Sequence, residues 1–268
     1  MEILLGFVIA LAISLTGVGA GSMTTPLLIL LLGVSPATAV GTALTFGAIV
    51  KVVSVPGYAL RKQVNMRVLL FLLAGGVPGV LGGGFLLSCL KNGPYEQYLY
   101  IALGALIVGS ALFHLYRVFR PKPAESVKDR SKLLPLFALP IGAEVGFSSA
   151  GAGALGSLLL LGFTKLTTAD VVGTDLCFGL VLSAVGSAMQ LGAGNYDSAL
   201  LLQLVIGGLC GAVAGSMLAG RVSQRPLRIA LLVMLVALGS QLALRAQKKP
   251  PQLRVAMANL PAAQFISK

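Results

Sequence analysis

Charge is what this chain has least of. Only 10% of its 268 residues are charged and its mean hydropathy is +0.93, whereas a soluble domain carries about a quarter charged residues to face water. The composition is that of an integral membrane protein. Tryptophan is absent and His114 is the lone histidine. With no paired carboxylates and no metal-ligand spacing inside the apolar segments, an intramembrane enzyme is a weak reading and no metal is implied. Cys89, Cys177 and Cys210 lie singly in apolar runs, which suits small packing residues rather than redox or metal chemistry. No GxxxxGK[ST] pattern occurs, so ATP is not hydrolysed and no cofactor is called for. Short strands of alternating polarity are missing, which argues against a β-barrel. Acidic residues number 8 against 20 basic ones, a net charge of +12. That excess does not indicate nucleic acid, because the basic residues fall between apolar runs: Arg61, Lys62 and Arg67, then Arg117 to Lys132, then Arg221, Arg225 and Arg228. This is how cytoplasmic loops meet anionic lipid headgroups.

Apolar runs of membrane-spanning length cover 37–60, 66–90, 96–119, 168–191, 198–220 and 227–244. The N-terminus enters an apolar stretch directly from Met1-Glu2, without a basic leader or a small-residue cleavage site, and is expected to be retained. The chain is also written twice. Val40-Gly41-Thr42-Ala43-Leu44-Thr45-Phe46-Gly47 returns 132 positions later as Val172-Gly173-Thr174-Asp175-Leu176-Cys177-Phe178-Gly179. The same offset pairs Gly19 with Gly151, Gly21 with Gly153, Gly75 with Gly207, Gly79 with Gly211 and Gly83 with Gly215. Duplicated halves in a membrane chain are a transporter signature, with the site where the halves meet. The expected layout is a first repeat over 1–119, a charged linker over 120–133, a second repeat over 134–245 and a polar tail over 246–268.

Each repeat opens on an interrupted apolar segment, 2–33 and 134–163, broken by Thr16 to Ser22 and by Gly146 to Gly153. One helix of about thirty residues would be ~45 Å long, too long for a ~30 Å core, while each piece alone is too short to cross it. A re-entrant helical hairpin with its tip buried in protein resolves both difficulties. Three crossings then remain per half, an odd number, which inverts the second repeat relative to the first. Loop charge does not separate hairpins from fully crossing broken helices, since both satisfy the positive-inside tendency. The fold class expected is therefore all-α and polytopic, with two inverted repeats.

Thr25 before Pro26 reads as a helix start, N-cap then first-turn proline. The second arm would then aim its positive end, and the amides of Gly19, Gly21, Ser22 and Thr24, at the hairpin tip as an anion cradle. Gly151 and Gly153 would contribute the equivalent cradle, although glycines also merely permit sharp turns. Ser22, Thr24, Thr25, Thr42, Ser148, Ser149 and Thr174 are candidate neutral donors to an oxyanion, with Gly41 and Gly173 beside two of them. A hydroxyl bonded back to its own helix is the alternative for each. Asp175 breaks the repeat, standing where the first half has Ala43, and is either kept protonated by burial or acts as a proton carrier. Lys51, about two turns beyond Thr42, neutralises that acid, attracts substrate, or snorkels toward Arg61. Asp170, three residues after Thr167, fits a capping box, and Glu144 falls on the first arm of its hairpin. The four-residue glycine spacings read as close-packing helix faces.

Gly19-Ala20-Gly21-Ser22, Thr25-Pro26-Leu27-Leu28, Pro36, Ala39 and Gly41-Thr42, with a weaker second copy ending in Gly173-Thr174, resemble the TauE/SafE sulfite exporter family over roughly residues 4–245. The second copy departs from the pattern in having Leu158-Leu159 where Pro26-Leu27 stand. The resemblance implies movement of a small sulfur-containing anion, sulfite or an organosulfonate, across the bacterial cytoplasmic membrane. The partners expected are that anion and membrane lipid, with no nucleic acid and an oligomeric state that no motif specifies. A secondary carrier, proton-coupled through Asp175, is the leading reading and a passive anion channel the other.

Overall fold

The computed structural model describes residues 1–16, 20–91, 96–119, 130–151, 153–218 and 224–248. Gly19, most of the linker (120–129) and most of the tail (249–268) lie outside them. Among the described residues the chain is all-helical, without strands. The helices are α1 (Glu2–Thr16), α2 (Ala20–Leu32), α3 (Pro36–Leu60), α4 (Met66–Leu90), α5 (Glu96–Phe119), α6 (Leu134–Ser148), α7 (Ala154–Phe163), α8 (Thr168–Gly192), α9 (Ser198–Leu218) and α10 (Gln224–Lys248). Among the described residues five helices are long and apolar enough to cross a membrane, α3, α4, α5, α8 and α9, while α10 offers a shorter apolar stretch, Ile229–Leu244. The protein is a multi-pass membrane protein. Its apolar surface is correspondingly exposed, as at Phe85 and Leu202.

Local chemistry explains where the long helices begin. Ser35 caps α3 by accepting from the Thr38 N–H, with Pro36 in the first turn. Thr167 caps α8 by accepting from the Asp170 N–H, and its hydroxyl donates to the Asp170 carboxylate, the capping arrangement the spacing suggested. Asn65 and Asp197, one offset apart, cap α4 and α9 through Val68 and Leu200.

One boundary needs correction. α2 begins at Ala20, so Thr25 is not an N-cap and Pro26 lies inside the helix. Gly21 packs its backbone directly against Ser149, and this contact, reached only in the folded protein, lets helix form through a glycine-serine stretch that local propensity disfavours. Smaller differences occur elsewhere: α9 ends at Leu218 as described, and α10 runs from Gln224 to Lys248, into what the sequence suggested was tail.

The two halves interlock through their glycines. A Cβ on Gly75, Gly79 or Gly83 of α4 would strike the backbone oxygens of Pro135, Leu139 and Ala143 of α6. A Cβ on Gly207 or Gly211 of α9 would likewise strike those of Ile3 and Phe7 of α1, and one on Gly215 would crowd Leu11. Each contact in one set has its counterpart 132 residues away in the other, so the interface is self-complementary in the manner of a two-fold. The register also fixes direction. α1 runs parallel to α9 and α6 parallel to α4, while α3 and α8 run antiparallel, with Lys51 meeting Ser183 and Thr45 meeting Ser187.

Candidate functional site

At the junction of the halves the two interrupted elements touch. Thr25 Oγ1 lies 2.6 Å from Ser149 Oγ, and Ser149 Oγ donates to the Gly21 carbonyl at 3.1 Å. The single Ser149 proton is spent on Gly21, so Thr25 donates to Ser149. Gly21 is required here, because a Cβ would fall 1.8 Å from the Ser149 carbonyl oxygen. Ser149 itself holds a left-handed conformation, φ 59°, as it closes α6, and Gly151 and Gly153 continue the tip at φ 89° and 105°. Ser22, Thr24, Thr25, Ser148 and Ser149 are all buried. The N-terminal turn of α2, with its outward N–H groups and positive dipole end, starts at this contact. The second tip is more self-contained. Ser148 donates to the Glu144 carbonyl and accepts from the Ala150 N–H, and Leu155 N–H bonds to the Gly151 carbonyl.

The repeated Gly-Thr pairs do something else. Thr42 Oγ1 accepts from the backbone N–H of Asp197 at 3.3 Å, and Thr174 Oγ1 accepts from that of Asn65 at 3.0 Å. A Cβ on Gly41 would strike the Asn195 carbonyl oxygen, and one on Gly173 that of Gln63. Both pairs therefore dock each repeat onto the first turn of a helix in the other. Among the described residues neither threonine shares a hydrogen bond with Thr25 or Ser149: Thr42 bonds Asp197 and Thr174 bonds Asn65.

Lys51 and Asp175 occupy a third place, the seam between α3 and α8. Lys51 is only 6% exposed; it does not snorkel, but donates to the Gly179 carbonyl and to Ser183 Oγ, each at 3.0 Å. Asp175, 3% exposed, lies one turn before Gly179 on the same helix. Its Oδ2 accepts from Ser157, while its Oδ1 is buried without a hydrogen-bond partner. The spacing sets the Lys51 ammonium beside the acid, although no direct ion pair joins them among the described residues.

Several residues of these places escape a motif reading. Ser157 is the counterpart of Thr25 and sits inside an apolar run, where only the repeat offset marks it. Ser183 and Ser187 follow Asp175 and Gly179 at four-residue steps, a polar face readable from spacing alone. Glu144, close to Gly151, keeps a buried carboxylate oxygen without a partner.

A family model described as "Sulfite exporter TauE/SafE" matches residues 2–242. The chain is 29% identical over 249 residues to the probable membrane transporter protein YjnA of Bacillus subtilis, covering 90% of this chain and 98% of that protein. It is 26% identical over 221 residues to the probable membrane transporter protein YdhB of the same organism, 80% and 87% of the two chains. A probable membrane transporter protein of Xylella fastidiosa is 26% identical over 226 residues, 81% and 84% of the two chains. No solved structure matches.

Proposed function

From the premise that the chain belongs to the TauE/SafE sulfite exporter family and is a membrane transporter, we propose that it carries a small sulfur oxyanion, sulfite or an organosulfonate, through a site between its two inverted repeats. The observation that supports this most is the meeting of Thr25 with Ser149, a hydroxyl from each repeat closing on one another over the Gly21 backbone. An arriving oxyanion accepts both protons in place of Ser149 Oγ and Gly21 O, while the α2 N-terminus and the Gly151–Gly153 turn supply backbone dipole. Neutral donors bind without the grip of a full charge, which suits a carrier that must release its cargo. Ser22 and Thr24 complete the polar wall of the first tip. Thr42 and Thr174, with Gly41 and Gly173, hold the two repeats in register around the site, and Ser148 shapes the second tip. Lys51 offsets the charge of Asp175, the coupling residue.

Binding at the tips gives a rocking route. Because each first arm is packed on a helix of the opposite repeat, displacement of one tip drags the other repeat with it. The basic loop at Arg61–Lys62 faces the cytoplasm in the cell membrane, with Lys91 on the opposite side. Flux of labelled sulfite and methanesulfonate into liposomes tests the reading. Saturable flux that falls with Thr25→Val supports it, whereas unsaturable flux marks a channel and absence of flux for both anions overturns it.

A further inference from the structure

α8 carries a polar face along much of its length. Asp175, Ser183, Ser187 and Gln190 are at most 6% exposed and recur, with Gly179, at steps of three or four residues. α3 answers them: Lys51 donates to Ser183, and Thr45 Oγ1 lies 2.7 Å from Ser187 Oγ while donating to the Gly41 carbonyl. Beyond Gln190 the file continues outward, since Asn195 Nδ2 donates to Gln190 Oε1 at 2.6 Å and Lys91 Nζ donates to Asn195 Oδ1 at 2.7 Å. From Asp175 to Gln190 the helix rises about 22 Å, most of a ~30 Å hydrocarbon core. Two buried atoms without partners mark its ends, Asp175 Oδ1 and Gln190 Nε2. A buried polar atom left unsatisfied is costly, and polar groups in a membrane interior mark ion and proton paths.

The geometry points to this α3–α8 seam as the proton path of the carrier, loaded at Asp175 and open to the rim at Asn195 and Lys91, separate from the anion contact at the hairpin tips. It rests on the reading of the chain as an anion transporter. In each transfer the Asp175 carboxyl gives its proton to water admitted along this polar face and is left a carboxylate, the proton leaves to bulk water at the Asn195 rim, Asp175 takes up another from the opposite side, and Lys51 keeps its ammonium protons and offsets the carboxylate in between. Among the described residues the ionisable groups facing the path are Lys51 from α3, Asp175 from α8 and Lys91 from the end of α4; α7 contributes the Ser157 hydroxyl, and α4 faces α8 with Gly76, Val80 and Gly84. Glu144 of α6 lies against Gly151 at the second tip.

Proteoliposomes enclosing a pH-reporting dye test it, with methanesulfonate as probe because that anion stays ionised at working pH, so any proton moved is moved by the protein; if only sulfite is carried, the ratio of pH change to flux in variant and wild type is compared instead. The expected result is a luminal pH change with wild-type flux, reduced at least tenfold per anion moved in Ser187→Ala/Gln190→Leu, while anion-induced thermal stabilisation of that variant matches wild type. Gln190→Leu alone carries the same expectation should the pair not fold. Unchanged proton movement in the variant overturns the path. Wild-type anion flux without any pH change overturns it as well and leaves the anion reading standing, whereas no flux of either anion sinks both.

Discussion

Lys51 Nζ donates at 3.0 Å to Ser183 Oγ, its own counterpart at the 132-residue offset. The bond brings matching positions of the two sequence copies side by side, yet the copies differ there, one offering an ammonium and the other a hydroxyl. Two like stretches of sequence thus meet at an unlike pair of groups.

Removing the ammonium strands Asp175 in a low-dielectric interior, and losing one partner of a buried charged arrangement costs about 3–5 kcal/mol. Lys51→Met is expected to lower the melting temperature in detergent sharply. Lys51→Met/Asp175→Asn is expected to regain part of the loss. Melting curves of the four proteins give the coupling, and an additive double variant, within about 0.5 kcal/mol, would show that the two charges do not interact.

Thr25→Val deletes the proton offered across the repeat junction. Affinity for sulfite is expected to fall about tenfold, near 1.4 kcal/mol. Thr42→Val is expected to act differently, leaving the Asp197 N–H without its acceptor and costing about 1–3 kcal/mol of stability with little change in affinity. Ligand-dependent thermal shift separates the two, and equal affinity losses would place Thr42 back at the anion.

How much of this was readable beforehand differs by element. That each opening segment breaks into two short helices followed from its glycine interruption and its length against bilayer thickness, and the caps at Ser35 and Thr167 followed from side-chain chemistry alone, because both are decided within a few residues. The start of α2 was not readable, since Thr25-Pro26 is a sound local start signal and only the distant Ser149 makes helix form through Gly21. Gly41-Thr42 and Gly173-Thr174 illustrate a second limit: a small residue beside a hydroxyl serves a ligand or a neighbouring backbone equally well, and the sequence does not carry the partner's position. The polar face of α8 was readable by spacing but lay inside an apolar segment, where single serines look like packing residues.

The glycine faces carry a sharp contrast within one helix. On Gly79 a Cβ would lie 2.2 Å from the Leu139 carbonyl oxygen, while around Gly82 nothing lies within 4 Å. Gly79→Val is therefore expected to abolish folded protein in size-exclusion profiles, because backbone cannot yield as a flexible side chain does. Gly82→Ala is expected to leave the profile unchanged or to raise the melting temperature slightly, since alanine favours helix by up to about 1 kcal/mol. Tolerance of Gly79→Val would remove α4 from the inter-repeat contact.

The repeats traded volume around the acid. Thr24 and Ala43 of the first half correspond to Gly156 and Asp175 of the second, and a Cβ on Gly156 would fall 2.0 Å from Asp175 Oδ1. The carboxylate fits only because its neighbour gave up its side chain. Gly156→Ala is therefore expected to push Asp175 off Ser157 and lower stability by about 1–3 kcal/mol, the usual cost of overpacking. Adding Asp175→Ala to Gly156→Ala is expected to restore the melting temperature, since it rebuilds the small-residue pairing of the first half, while proton movement with the anion is lost. Coupling should fall and stability recover in the same protein, and a double variant still moving protons would transfer the coupling role away from Asp175.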